Sequence, residues 1–348
     1  MRRSTLILSA FLTVVFSGVL AVISTPPASA QKNYSPGQKL YVASNEGTDI
    51  YVLNMDTHQV DSVIEVGGAP HGLTVTADGK WAYASCSGIN KLVAINTATG
   101  EIEWSTDLGN NPHGLAVTPN GRFVYVTIFG TGRTESATDV VDTRLRKRIK
   151  TIQTGAGAHV AYAPSNERVY ASAWFDQTVS VIDTSTQEII QVVPFPGFVR
   201  PIAVDRSERW LYTALSGFHG FMVADLEKGY STKLVEHPPF PAGARVPDHN
   251  TPVHGLEIRP GGKELYVTSV IDNKIYIYDL PGCTLSGVIP TGTWPNWIVF
   301  SPDGRRAYVT NALDDTVSAI DTETRKVIAT TRVGTVPKRL AVVGERAE

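Results

Sequence analysis

The chain has 348 residues, 18% of them charged, and a formal net charge of −2 at pH 7. That balance supplies no long-range field that would draw nucleic acid or a membrane surface to it. Two cysteines allow one disulfide at most, which excludes a disulfide-stapled scaffold.

In chain order, the first segment is a targeting signal. Arg2 and Arg3 precede an apolar run from Leu6 to Ile23, and Ala28-Ser29-Ala30 supplies a small-residue cleavage site. This is the three-part build of a secretory signal peptide over 1–30, with cleavage after Ala30. The run is near the lower limit for spanning a bilayer, but Pro26-Pro27 and the small residues favour cleavage. We therefore expect a secreted or periplasmic, monomeric protein whose residues 31–348 form one domain without a transmembrane segment.

From residue 40 onward the chain repeats. Tyr41, Tyr83, Tyr125, Tyr170, Tyr212, Tyr266 and Tyr308 open similar phrases (YVASN, YASCS, YVTIF, YASAW, YTALS, YVTSV, YVTNA) at intervals of 42, 42, 45, 42, 54 and 42. Each Tyr is followed by an apolar run closed by Asp56, Asn96, Asp142, Asp183, Asp225, Asp279 or Asp321. Turns such as TADGKW, TPNGRF and SPDGRR precede six of the seven. Within one unit, NWIVF, RAYVT, VSAID and KVIATTRV read as four strands, and Asp-Gly or Asn-Gly accepts the positive φ of a tight hairpin. A period near 42 with four antiparallel strands per unit predicts a β-propeller. The chain starts on a second strand (Leu40-Tyr41-Val42) and finishes on an unpaired first strand, Lys338 to Val343. Pairing the two closes a seven-bladed, all-β ring with no free edge.

The phrase SPDGRRAYVTNALDDTVSAIDTETRKVIAT, with YVTN at 308–311, resembles the YVTN-type β-propeller repeat family across essentially the whole mature chain. The resemblance implies the fold. It leaves function open, because that family includes cell-envelope proteins, and similar propellers serve as lyases, lactonases and dehydrogenases.

The repeat also places histidines. PHGL occurs at 70–73 and at 112–115, with variants VHGL at 253–256 and AHVA at 158–161. Each phrase leads into a blade's innermost strand, so the seven equivalent positions around the channel are His71, His113, His159, Arg200, His254, Asn296 and Lys338. None is acidic, and six can carry positive charge. Loops between second and third strands bring Cys86, Phe129, Trp174 and His219 toward the same face. The length exceptions map there too: Gly130 to Glu135, and a Pro-rich insertion over 236–253. The opposite face carries short turns, among them that of Cys283, so two thiols are expected instead of a disulfide.

Converging imidazoles suit a transition metal such as copper, zinc or iron, with His71, His113, His159 and His254 as ligands. Arg200, Lys338, Asn296, Trp174 and His219 would then bind a small anionic or polar substrate. Asp248 and His249, in the insertion, form an acid–histidine pair suited to general-base work. The ring lacks the acidic residues on which lactonase-type propellers and the virginiamycin lyase type rely. No C-x-x-C-H or G-x-S-x-G is present, so no covalent haem, serine elbow or nucleotide is expected. His58 and His237 read as surface residues. Two functions stay open: a metal-dependent lyase or oxidoreductase acting on a small molecule, and a non-catalytic propeller binding an envelope protein or glycan. A repeat relic, in which His merely serves the turn, is the bland alternative.

Overall fold

The computed structural model describes residues 38–240, 243–244 and 251–343. The signal segment 1–30 and the pair Asp248 and His249 lie outside the described residues. Among the described residues, 28 strands form seven four-stranded antiparallel sheets. The second and third strands are buried at nearly every position on both faces, while the outermost strands, such as β7 (Ile102–Asp107) and β27 (Lys326–Arg332), are largely exposed, which is what a ring of stacked blades requires.

The closing blade is built as the sequence predicts. Strand β28 (Pro337–Val343) pairs antiparallel with β1 (Lys39–Ser44), matching Leu40 to Val342 and Val42 to Leu340. The register puts Leu40, Val42 and Leu340 into one buried cluster with Tyr308 of the neighbouring blade. We number this closing blade 1 and the others 2 to 7 in chain order.

Seven inner strands surround the channel: β28, β4 (Pro70–Val75), β8 (Pro112–Val117), β12 (Ala158–Tyr162), β16 (Val199–Val204), β20 (Val253–Ile258) and β24 (Pro295–Phe300). The seven tyrosines all sit on second strands and are at most 2% exposed, so they are packing residues between blades. One register expectation needs correction. The third strand of blade 1 ends at Asn54 rather than Asp56, and the Asn54 carboxamide oxygen accepts the backbone N–H of Asp56 and Thr57 at 2.9 and 3.0 Å. Asn54 here, like Asn96 in blade 2, does the turn-closing work that Asp142, Asp183 and Asp321 do in blades 3, 4 and 7.

The Gly of PHGL has a structural cause. Adjacent inner strands approach so closely that a Cβ on Gly114 would lie 2.7 Å from the His159 carbonyl oxygen. On Gly255 it would lie 2.6 Å from that of Asn296, and on Gly72 it would collide with that of His113. Only a residue without Cβ fits there unless the neighbour moves. Cys86 and Cys283 are both buried free thiols, in blades 2 and 6.

Candidate functional site

All seven inner strands carry a bulge or register shift beside the ring residue, for example between Pro70 and Gly72, between Pro295 and Ile298, and at Lys338 between Pro337 and Arg339. A bulge re-aims a side chain and leaves a backbone group unpaired. Here a hydroxyl two residues after the conserved-phase Tyr takes up the unpaired group. Ser85 accepts from Gly72 N–H (3.0 Å), Ser172 from Val160 (3.1 Å), Thr268 from Gly255 (2.7 Å) and Thr310 from Trp297 (3.0 Å). Ser85 and Thr310 also donate to the carbonyls of His113 and Lys338 in the next blade. The Tyr-x-Ser/Thr phrase thus supports the ring residues of its own blade and of its neighbour.

The four predicted imidazoles do come together. His71 stacks on His113 with ring centroids 4.0 Å apart, and His113 stacks on Phe129 at 4.7 Å. His159 stands edge-on to His113 at 5.7 Å and to His254 at 6.2 Å. His254 Nδ1 lies 3.2 Å from the Asn296 carbonyl oxygen. The buried Nδ1 atoms of His71, His113 and His159 have no hydrogen-bond partner among the described residues.

Sequence reasoning missed the residue that dominates the site. Arg339, beside the expected Lys338, is 3% exposed, and its guanidinium lies 3.6 Å from the centre of the Trp297 ring. Its three side-chain nitrogens have no hydrogen-bond partner among the described residues. The PHGL frame puts Gly, Val, Pro or Trp at this position in the other blades, so a signal existed: an Arg where no other blade has a charge. Arg200 is likewise buried; it stacks over Trp174 at 4.1 Å and donates from Nε to Ser216 Oγ at 2.7 Å.

The charge expectation is corrected. The four imidazoles are neutral, not cationic. Burial depresses all of them: His113 falls to about 3, with Arg339 and Lys338 adding to the effect, and His71, His159 and His254 fall well below their ordinary value. The positive charge resides on Arg200, Lys338 and Arg339. Burial lowers these as well, Arg200 to about 10 and Arg339 to about 9, which leaves both arginines protonated at neutral pH. The ring is therefore three cations among four neutral imidazoles.

One other expected site residue, His219, lies elsewhere. His219 is buried between blades 5 and 6, sharing a 2.8 Å hydrogen bond with Ser269 and standing edge-on to Tyr276. His237 is not a surface residue: it is 3% exposed, stacks on Tyr276 at 4.3 Å and pairs through Nδ1 with the Tyr278 hydroxyl at 2.6 Å. Cys86 is fully buried and does not reach the mouth. Among the described residues, no three His, Cys, Asp or Glu side chains are set to hold a metal ion.

The model of the YNCE-like β-propeller family matches residues 19–249, more than half of the chain. The chain belongs to that family. This YNCE-like propeller is also 29% identical over 158 residues to antigen Lp49 of Leptospira interrogans serogroup Icterohaemorrhagiae serovar copenhageni (strain Fiocruz L1-130), a match covering 42% of this chain and 31% of the antigen. The chain thus aligns with about a third of that relative's length. Among solved structures it is similar to the Kuenenia stuttgartiensis hydrazine synthase (TM-score 0.71, 18% identity, 86% of this chain and 99% of that one). A functionally unknown protein from Desulfotomaculum acetoxidans DSM 771 gives a TM-score of 0.72 at 13% identity, over 87% and 98% of the two chains. The dihydro-heme d1 dehydrogenase NirN, in complex with DHE, gives 0.61 at 12% identity, over 91% and 78%. At these identities the likeness is one of fold.

Proposed function

We propose that this propeller binds a small anion or anionic polar molecule in its histidine-lined channel. The observation that carries the reading is Arg339, a buried guanidinium with three nitrogens lacking a partner among the described residues. A buried charge without a counter-charge is costly by several kcal/mol, and an oxyanion taking bidentate hydrogen bonds from guanidinium offsets that cost. Lys338 and Arg200 add charge, and neutral imidazoles can donate or accept as the ligand requires. The reading takes the signal-like sequence at 1–30 as an export signal, and the similarity to an antigen is in keeping with a site that meets ligands outside the cytoplasm.

Titration calorimetry with inorganic phosphate and with acetate tests it. At least one anion should bind the parent, and Arg339→Leu should weaken that binding about a hundredfold, the loss of roughly two charge-assisted hydrogen bonds. Failure of both anions, or equal binding by the variant, overturns the reading.

A second reading, a transition metal on the same imidazoles supporting lyase or oxidoreductase chemistry, has one observation in its favour: three neutral rings with unpartnered Nδ1 atoms. The parallel stacking of His71 on His113 and the nearby Arg339 cation weigh against it. Elemental analysis of the untagged protein beside a His71→Ala/His113→Ala variant decides. One equivalent of metal in the parent, lost in the folded variant, would establish this second reading in place of the first.

A further inference from the structure

The aromatic residues of the mouth are gathered on one side of it. Four residues after the tyrosine of the second strand, blades 3 and 4 carry Phe129 and Trp174, where the other five blades hold Asn, Ser, Ser, Val and Ala. Phe175 follows Trp174, and Phe198 stands two residues before Arg200 in the link that leads into blade 5. Like Arg339 on the ring, these are departures from the repeat, and here they fall in consecutive blades.

In space the four rings make one wall. Phe129 lies 5.9 Å from Trp174 and 5.7 Å from Phe175, centroid to centroid. Trp174 and Phe175 stack at 4.8 Å, and Phe198 stands edge-on to both at 6.0 and 6.4 Å. Packing aromatics of this protein, such as Phe221 and the blade tyrosines, are sealed from water. The wall is not: Phe198 is 40% exposed, and the other three are half-buried. Covering such a patch with an apolar ligand surface is favourable.

The wall joins the cationic ring at two places. Phe129 stacks on His113 at 4.7 Å, and His113 stacks on His71 at 4.0 Å, so three rings lie in one pile. Beyond the effect of burial, Arg339 and Lys338 oppose protonation of His113, so their charge reaches this pile. On the other side, the Arg200 guanidinium covers Trp174 at 4.1 Å. The acidic groups beside the wall are held within their own loops. Asp176 accepts from the Ala156 backbone N–H at 2.7 Å, and Glu135 from the N–H and hydroxyl of Thr131 at 3.0 and 2.6 Å.

We infer that the anion bound at this mouth is an aromatic carboxylate. The inference rests on the anion reading above and names its ligand class. The carboxylate meets the charge of Arg339 and Lys338, and the flat ring lies along Phe129 toward Phe198. Ring-on-ring contact and removal of apolar surface from water then add to the charge-assisted hydrogen bonds. His113, common to the ring and the wall, sets the spacing between the two ends.

Titration calorimetry of the full protein with 3-phenylpropanoate, benzoate, acetate and benzamide tests it. At least one aromatic acid should bind about tenfold more tightly than acetate, the gain expected from one or two aromatic contacts. Benzamide, flat but uncharged, should bind at least about tenfold more weakly than the better acid. Phe129→Leu should lower the affinity of that acid about fivefold, with a smaller effect on acetate, and Phe198→Leu, at an exposed position, about twofold. Aromatic acids no tighter than acetate, benzamide equal to the acids, or unaltered acid affinity in both folded variants would overturn the inference; the anion reading stands in each case if Arg339→Leu still weakens binding of an anion. Aromatic-acid binding that Arg339→Leu does not weaken, or no binding by any of the four, overturns both.

Discussion

Two histidine clusters in one molecule are built to opposite rules. Between blades 5 and 6, His219 and His237 are tied to Ser269 and Tyr278 by hydrogen bonds of 2.8 and 2.6 Å and packed edge-on or face-on against Tyr276. In the channel, three Nδ1 atoms and a whole guanidinium lack partners among the described residues, although protein surrounds them. Among the described residues His237 Nε2 also lacks a partner, so a single unpartnered ring nitrogen does not mark a site; the channel differs in adding a whole buried guanidinium, which marks it as a place for something else to bind. Histidine content alone does not separate the two; the unpartnered guanidinium of Arg339 does.

The comparison can be broken most sharply at His237. His237→Ala removes a buried ring and orphans the Tyr278 hydroxyl, so denaturant unfolding should show a loss of about 2–4 kcal/mol. In the channel, His113→Ala should cost less than about 1 kcal/mol. Comparable losses at both positions would erase the distinction.

Arg339→Leu probes the channel from the other side. Removing a buried cation that has no counter-charge among the described residues should raise stability by about 1–3 kcal/mol while weakening anion binding about a hundredfold. A destabilised variant would show that Arg339 serves the fold.

Acid should act on both clusters through the depressed histidines. His113 and His237 are both held down to about 3, chiefly by burial. Between the ordinary histidine value and about 3 the unfolded chain binds more protons than the folded one. Stability is therefore full above about pH 6.5 and declines as pH falls, by about 1.4 kcal/mol per pH unit for each such histidine. Urea unfolding from pH 7 to pH 4 measures the slope, which His113→Asn should reduce. A flat profile would mean that the imidazoles are solvated.

The smallest effect is expected at Phe198, an exposed ring edge-on to Trp174 at 6.0 Å. Phe198→Ser should change stability by less than about 0.5 kcal/mol. A larger loss would extend the organised site outward along the aromatic residues of the mouth.

How much was legible in the sequence follows from what repeats. Blade count, strand order and ring closure were readable because seven copies of one pattern report the same register, and errors in one unit are outvoted by the others. The positions of His71, His113, His159 and His254 were readable for the same reason. Arg339 was not, because it departs from the pattern at a position where the other blades hold Gly, Val, Pro or Trp. His237 was misread because it lies just beyond a strand end, where the repeat no longer constrains the environment.

Sequence alone determined that this is a closed ring of seven four-stranded blades and which residues line its axis, since period and phase are properties of the chain. The protonation of those residues and the choice between binding group and packing group were decided only by tertiary structure. Both depend on how much water each group loses and on which partners the neighbouring blades bring to it, and adjacent positions in the ring come from segments some forty residues apart.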